Sequence, residues 1–135
     1  MEFEEIKSVE TLAKEYIKRI GADLLRLSTG DDIHFQYQGF GYFFDIDKQD
    51  PNFFRLVMPA IYEINNDRIK VLETLVNLTG KKKGLKAFLV GDLVWLSIEM
   101  FIDPNSNIDA FSEYTKRSLD ILSRGRVEFS IILED

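Results

Sequence analysis

The chain has 135 residues, 45% of them hydrophobic and 13% aromatic. That is enough for one real core and too apolar for a largely disordered polypeptide. Its formal net charge of −6 repels phosphate polyanions in general, and the absence of cysteine excludes disulfides, thiol catalysis and thiolate metal ligands.

The start, "MEFEEIKSVE", is acidic and lacks the basic region and apolar run of a signal peptide. No apolar run approaches the ~20 residues that a membrane-spanning helix needs. A cytoplasmic protein with no membrane partner is the expectation, and the missing cysteines fit a reducing compartment. No internal repeat and no Gly/Ser-rich or Pro-rich divider is visible, so residues 1–135 are expected to form a single domain.

"SVETLAKEYIKRIG" carries Val9, Leu12, Ala13, Tyr16, Ile17 and Ile20 at spacings of three and four. That spacing predicts an amphipathic helix, capped by Ser8 and ended at Gly21. The period then changes to two. "ADLLRL" places Leu25 and Leu27 on one side of a strand, and residues 29–32 make a turn. "IHFQY" places Ile33, Phe35 and Tyr37 on one face with His34 and Gln36 opposite. Gln38 and Gly39 form a tight turn into "FGYFFDID". Phe40, Tyr42, Phe44 and Ile46 share the buried face there, while Gly41, Phe43, Asp45 and Asp47 share the other. The three segments read as an antiparallel meander.

A loop at Asp50-Pro51 leads to a fourth strand, "FFRLVMPAIYEI", in which Phe54, Leu56 and Met58 alternate with Phe53, Arg55 and Val57. Pro59 cannot donate to a ladder and suits an edge or a strand end. "NNDRIKVLETLVNLTG" returns to helical spacing. Asn66 or Asp67 caps it, Ile69, Leu72, Leu75, Val76 and Thr79 form its apolar face, and Gly80 stops it. Two strands follow, joined by a short hairpin loop at Val90–Asp92. Val94, Leu96, Ile98, Met100 and Ile102 face one way; Trp95, Ser97, Glu99 and Phe101 face the other. A last helix starts near Asp109. "RVEFSIILED" alternates like a strand yet also continues the helical spacing, and helix is favoured, with a kink at Gly125. The order α-β-β-β-β-α-β-β-α gives an α+β fold, with helices covering one face of a largely antiparallel sheet.

Chemistry is sparse. His34 is the only histidine, and no serine or cysteine pattern accompanies it. Asp45, Asp47 and Asp50 offer hard oxygens to a cation. Counted from Asp45, however, an EF-hand's glycine and glutamate positions fall on Asp50 and Leu56, so a solvated turn is the reading. "GKKKG" at residues 80–84 reads as a solvated turn and is no phosphate loop. Glu99 sits mid-strand, and a buried carboxylate there would need a partner. "QGFGYFFD" matches part of the basic-aromatic strand of single-stranded RNA modules. It lacks the basic first residue and the aromatic last one. Base stacking would also expose Phe40, Tyr42, Phe44 and Ile46 together, whereas burying each large side chain is worth about 1.5–3 kcal/mol.

The whole order resembles the YbjN-like family, similar in fold to the small chaperones of type III secretion. The matching features are Phe35, Gly39 and Tyr42 in the meander, then "DPNFFRL", "LVNLTGKKKGLKAFL" and "LVWLSIEMFID". Gly39 looks like the family's turn glycine and Asn77 like its helix-end asparagine. This bacterial family is often labelled a sensory transduction regulator, without a defined reaction. The secretion chaperones dimerise and hold an extended client segment.

The resemblance therefore implies a non-enzymatic, chaperone-like or regulatory adaptor, with no catalytic residue, metal or cofactor. Its partner would be a protein or an extended peptide segment, with a homodimer as a further form and no nucleic acid. Phe43, Phe53, Trp95 and Phe101, on the less buried sheet face, are the candidate surface. A second helix or a dimer mate is the alternative cover for them. Two other classes stay open at this point: a small enzyme where Glu99, His34 or aspartates converge, and an RNA binder acting through Phe40 and Tyr42.

Overall fold

The computed structural model describes residues 8–25, 32–47, 49–50, 52–103 and 107–134. The elements follow the expected order: α1 (Val9–Arg19), β1 (Asp23–Leu24), β2 (Ile33–Tyr37), β3 (Phe40–Ile46), β4 (Phe53–Glu63), α2 (Arg68–Lys81), β5 (Leu85–Val90), β6 (Leu93–Phe101) and α3 (Ile108–Glu134). The strands form one antiparallel sheet in the order β1-β2-β3-β4-β6-β5. All three helices contribute to a core on one side of that sheet.

The local chemistry explains most boundaries. Ser8 Oγ accepts from the Thr11 amide, satisfying one of the free donors at the start of α1. Val9, Leu12, Ala13, Tyr16 and Ile17 are all buried. The β2–β3 turn is two residues long, and both take positive φ, 51° at Gln38 and 82° at Gly39. Two left-handed residues give the turn a twist that matches the flanking strands. The meander then pairs Phe35 with Tyr42 and Ile33 with Phe44. The rings of Phe35, Phe44, Phe54 and Phe111 pack in contact from β2, β3 and β4 onto α3.

Four elements depart from expectation. β1 is a two-residue edge strand, with Leu24 and Leu25 both exposed, so Leu25 is not a core residue; Leu27 and most of the 29–32 turn lie outside the described residues. In α2 the core face is Val71, Thr74, Leu75 and Leu78. Ile69 is 71% exposed and Val76 75% exposed, and Leu72 also faces out. Gly80 lies inside α2, which runs to Lys81, so Asn77 is not at its end. The left-handed glycine is Gly84, at φ 76°. The lysines that follow are not all solvated, since Lys82 pairs with Glu128 of α3 at 2.9 Å.

β4 takes up nearly the whole segment read as a strand, but not as a regular one. It runs on to Glu63 through a register shift between Met58 and Tyr62, with Ala60 at φ 52°. Pro59 is tolerated mid-strand because the bulge removes the need for its missing N–H.

The C-terminal ambiguity resolves as one 27-residue α-helix without a break at Gly125. Gly125 is buried instead. A Cβ there would stand 2.8 Å from Leu85 Cδ2, so the glycine lets α3 lie close against β5. Phe129 enters the core and meets Tyr62 at 5.5 Å between ring centres.

Candidate functional site

Strand alternation leaves one sheet face that none of the described helices covers. Register organises it into rows. His34, Phe43, Val57, Ser97 and Lys86 lie side by side across β2, β3, β4, β6 and β5. The next row is Asp45, Arg55 and Glu99, and the next is Phe53 beside Phe101. Trp95 pairs with Phe88 on the far side of Ser97.

The centre of this face is closed by its own side chains. Phe43 is only 7% exposed. His34 stacks on it at 4.8 Å between ring centres, and Trp95 meets it edge-on at 5.7 Å. Phe88 extends the row, 6.3 Å from Trp95, and Lys86 Nζ stands 5.8 Å from the Phe88 ring. Val57 and Ser97 are buried beneath these groups. Phe43, one of the four candidate rings, is thus a filled position in a small second cluster.

Beside the aromatics runs a ladder of charges. Arg55 Nε lies 3.4 Å from Asp45 Oδ2, and Lys86 Nζ lies 3.7 Å from Glu99 Oε1. Glu99 is thus a half-open carboxylate with a cation beside it. Alternating sign across neighbouring strands holds the long side chains over the sheet at little net energetic gain, about 0–1 kcal/mol per exposed pair. Among the described residues, Trp95 Nε1 and Ser97 Oγ are buried without a hydrogen-bond partner, and Arg55 Nε has only its ion-pair contact. Buried donors left unmatched are costly, so these atoms lower the stability of the packed centre.

The accessible part is the third row. Phe101 is 77% exposed, its ring 5.2 Å from that of the half-buried Phe53. Of the four candidate residues, Phe101 is the most open, Phe53 and Trp95 are partly covered, and Phe43 is enclosed. Sequence alternation placed all four on one face of the sheet, where the register also puts them. It carried no signal for how Trp95, from a distant segment, would cover Phe43.

The residues of the other two readings are held apart. His34 is packed on Phe43, while Glu99 pairs with Lys86. Asp47 Oδ1 accepts from the Gln49 amide and Asp50 Oδ1 from the Asn52 amide, so both shape the turn before β4. Among the described residues, no group of three or more His, Asp or Glu stands together as a metal-binding set would require. The proposed base-stacking row faces the core. Tyr42 is 3% exposed and Phe40 is half-buried under Arg126. Burial raises the Tyr42 phenol above its ordinary value, an effect that Arg126 partly opposes and Tyr37 reinforces. Burial, with a smaller contribution from Tyr37, pushes Tyr16 up to about 12. Among the described residues no helix is long and apolar enough to cross a membrane.

The class is therefore α+β, with a six-stranded antiparallel sheet carrying three helices on one side and an aromatic, charge-laddered face on the other. The fold is that of YbjN from E. coli, described as "a putative transcription regulator": its crystal structure matches with a TM-score of 0.72 over 94% of each chain, at 13% sequence identity. No family model matches the chain, and no curated protein matches it. At that identity the likeness establishes the fold, and it is the YbjN-like fold that the meander and hairpin motifs resemble.

Proposed function

We propose that the chain is a non-enzymatic adaptor that binds a protein partner through its helix-free sheet face. The observation that carries this reading is the exposed Phe101–Phe53 pair at the border of a face whose centre is already packed. A rigid aromatic with one side free offers large apolar contact at low entropic cost. The flanking charge ladder suits a segment with both signs of charge. The description of YbjN as a transcription regulator supports the coarser reading, a regulatory role.

A photo-crosslinking amino acid at Phe101, in the cell of origin, tests the reading, with Glu113 on α3 as the control position. A discrete protein adduct at Phe101 that is absent at Glu113 is expected. Identical adducts at both positions, or none, would overturn it. An adduct to a second copy, together with a doubled mass in light scattering, would assign the face to a homodimer instead.

A further inference from the structure

The β3–β4 ladder runs only from Phe43↔Val57 to Ile46↔Phe54. Both strands continue past Val57, β3 still paired to β2 through Phe40 and β4 still paired to β6 through Glu63. They no longer pair with each other, and the sheet splits between them. Pro59, the register shift and the left-handed Ala60 account for the split. Between the strands lies a cavity of about 200 Å³, lined by Phe40, Gly41, Pro59, Ala60, Ile61 and Arg126 among others. Among the described residues no acidic side chain lines it.

Arg126 reaches this cavity from α3. Its guanidinium carbon is 4.2 Å from the centre of the Phe40 ring. Among the described residues its guanidinium has no carboxylate partner and donates no hydrogen bond, although the residue is half-buried. Contact with a ring offsets about 0.5–2 kcal/mol of the cost of withdrawing a cation from water. Among the described residues the five N–H donors of its planar fork meet no protein acceptor and stay open to solvent or to a ligand. A permanent cation, at a polar cleft free of carboxylates, beside strands that have lost their mutual hydrogen bonds, matches the recognition of a planar or tetrahedral oxyanion.

We propose that the cleft between β3 and β4, closed by Arg126 and Phe40, binds a small oxyanion, the carboxylate or phosphate group of a small ligand. The fork of Arg126 supplies two donors, and the amides of the split strands lie beside it. The cleft has room for such a group together with part of the molecule that carries it. The chain's net charge of −6 opposes general attraction of anions, so saturable binding at this place reports the local geometry. The proposal does not rest on the Phe101–Phe53 surface.

The test is a titration of the full chain with inorganic phosphate and, separately, with acetate, followed by amide NMR at constant ionic strength, with chloride as the reference. Saturable shifts confined to Gly39, Gly41, Ala60 and Ile61 are expected with at least one anion. Saturation by phosphate alone assigns a phosphate group, by acetate alone a carboxylate, and by both the shared oxyanion chemistry. Linear shifts with both anions, or shifts spread over the chain, overturn the proposal without any variant. Arg126→Gln is expected to weaken binding at least tenfold and Arg126→Lys less, because lysine keeps the charge and loses the fork. Unchanged saturation in a folded Arg126→Gln protein also overturns it.

Discussion

Phe43 and Phe101 share one sheet face, yet the first is wedged between His34 and Trp95 and the second stands open beside Phe53. Their substitutions should separate stability from binding. Phe43→Ala is expected to cost about 3 kcal/mol, the low end for a buried phenylalanine, because it opens a cavity under Trp95. Phe101→Ala is expected to shift stability by no more than about 0.5 kcal/mol, as for other open surface positions. Urea denaturation of both variants checks this. With the crosslinking residue moved to the neighbouring exposed Glu99, the partner adduct should fall in Phe101→Ala while its denaturation midpoint stays put.

The buried tyrosines give the fold a ceiling at high pH. Tyr16 titrates near 12 in the folded chain, against 10.0 for a free phenol. The folded state therefore holds the proton more tightly than the unfolded one. The associated stability is fully present below pH 10 and is lost as the pH climbs from about 10 through about 12. Tyr42 is displaced in the same direction. Denaturation midpoints between pH 9 and 11.5 should fall in the parent chain and fall less in Tyr16→Phe. Equal slopes would show that the Tyr16 phenol ionises as freely in the fold as in water.

Much of the fold was legible because apolar and polar residues alternate cleanly in most elements. In β6, Val94, Leu96 and Ile98 face the core, and the intervening Trp95, Ser97 and Glu99 face away. In α1 a single stripe is apolar. α2 is different, for it carries Ile69, Leu72 and Val76 on one side and Val71, Leu75 and Leu78 on another. Periodicity gives two equally good faces, and only docking against β5 and α3 chooses between them. The bulge was illegible for another reason: Pro59 marks a disturbance, but an alanine gives no hint of a left-handed backbone. The candidate face was legible as a side of the sheet and not as a set of exposures, since enclosure of Phe43 depends on a ring from another segment.

The choice of face in α2 can be measured. Ile69→Lys and Val76→Lys should each change stability by no more than about 0.5 kcal/mol, because both side chains already meet water. Leu75→Ala, one residue from Val76, should cost about 2–5 kcal/mol. If Val76→Lys were the more damaging, the helix would be docked by the face that periodicity first suggested. Solubility should rise in the lysine variants, since they remove an exposed apolar stripe.

Ala60 offers the sharpest test of the split between β3 and β4. Its φ of 52° places an alanine where the Cβ crowds the following carbonyl, at a cost of about 1–2 kcal/mol. Glycine removes that crowding and gives back about 0.5–1 kcal/mol through its greater freedom in the unfolded chain. Ala60→Gly is therefore expected to raise stability by up to about 1.5 kcal/mol, the reverse of glycine's usual effect within a strand. Ala60→Val should lower it, because a β-branched side chain fits the left-handed region worse still. Urea midpoints for the two variants decide the matter by sign alone. A lower midpoint for Ala60→Gly would mean that the backbone there is ordinary strand, and β3 and β4 would then have no strain to keep them apart.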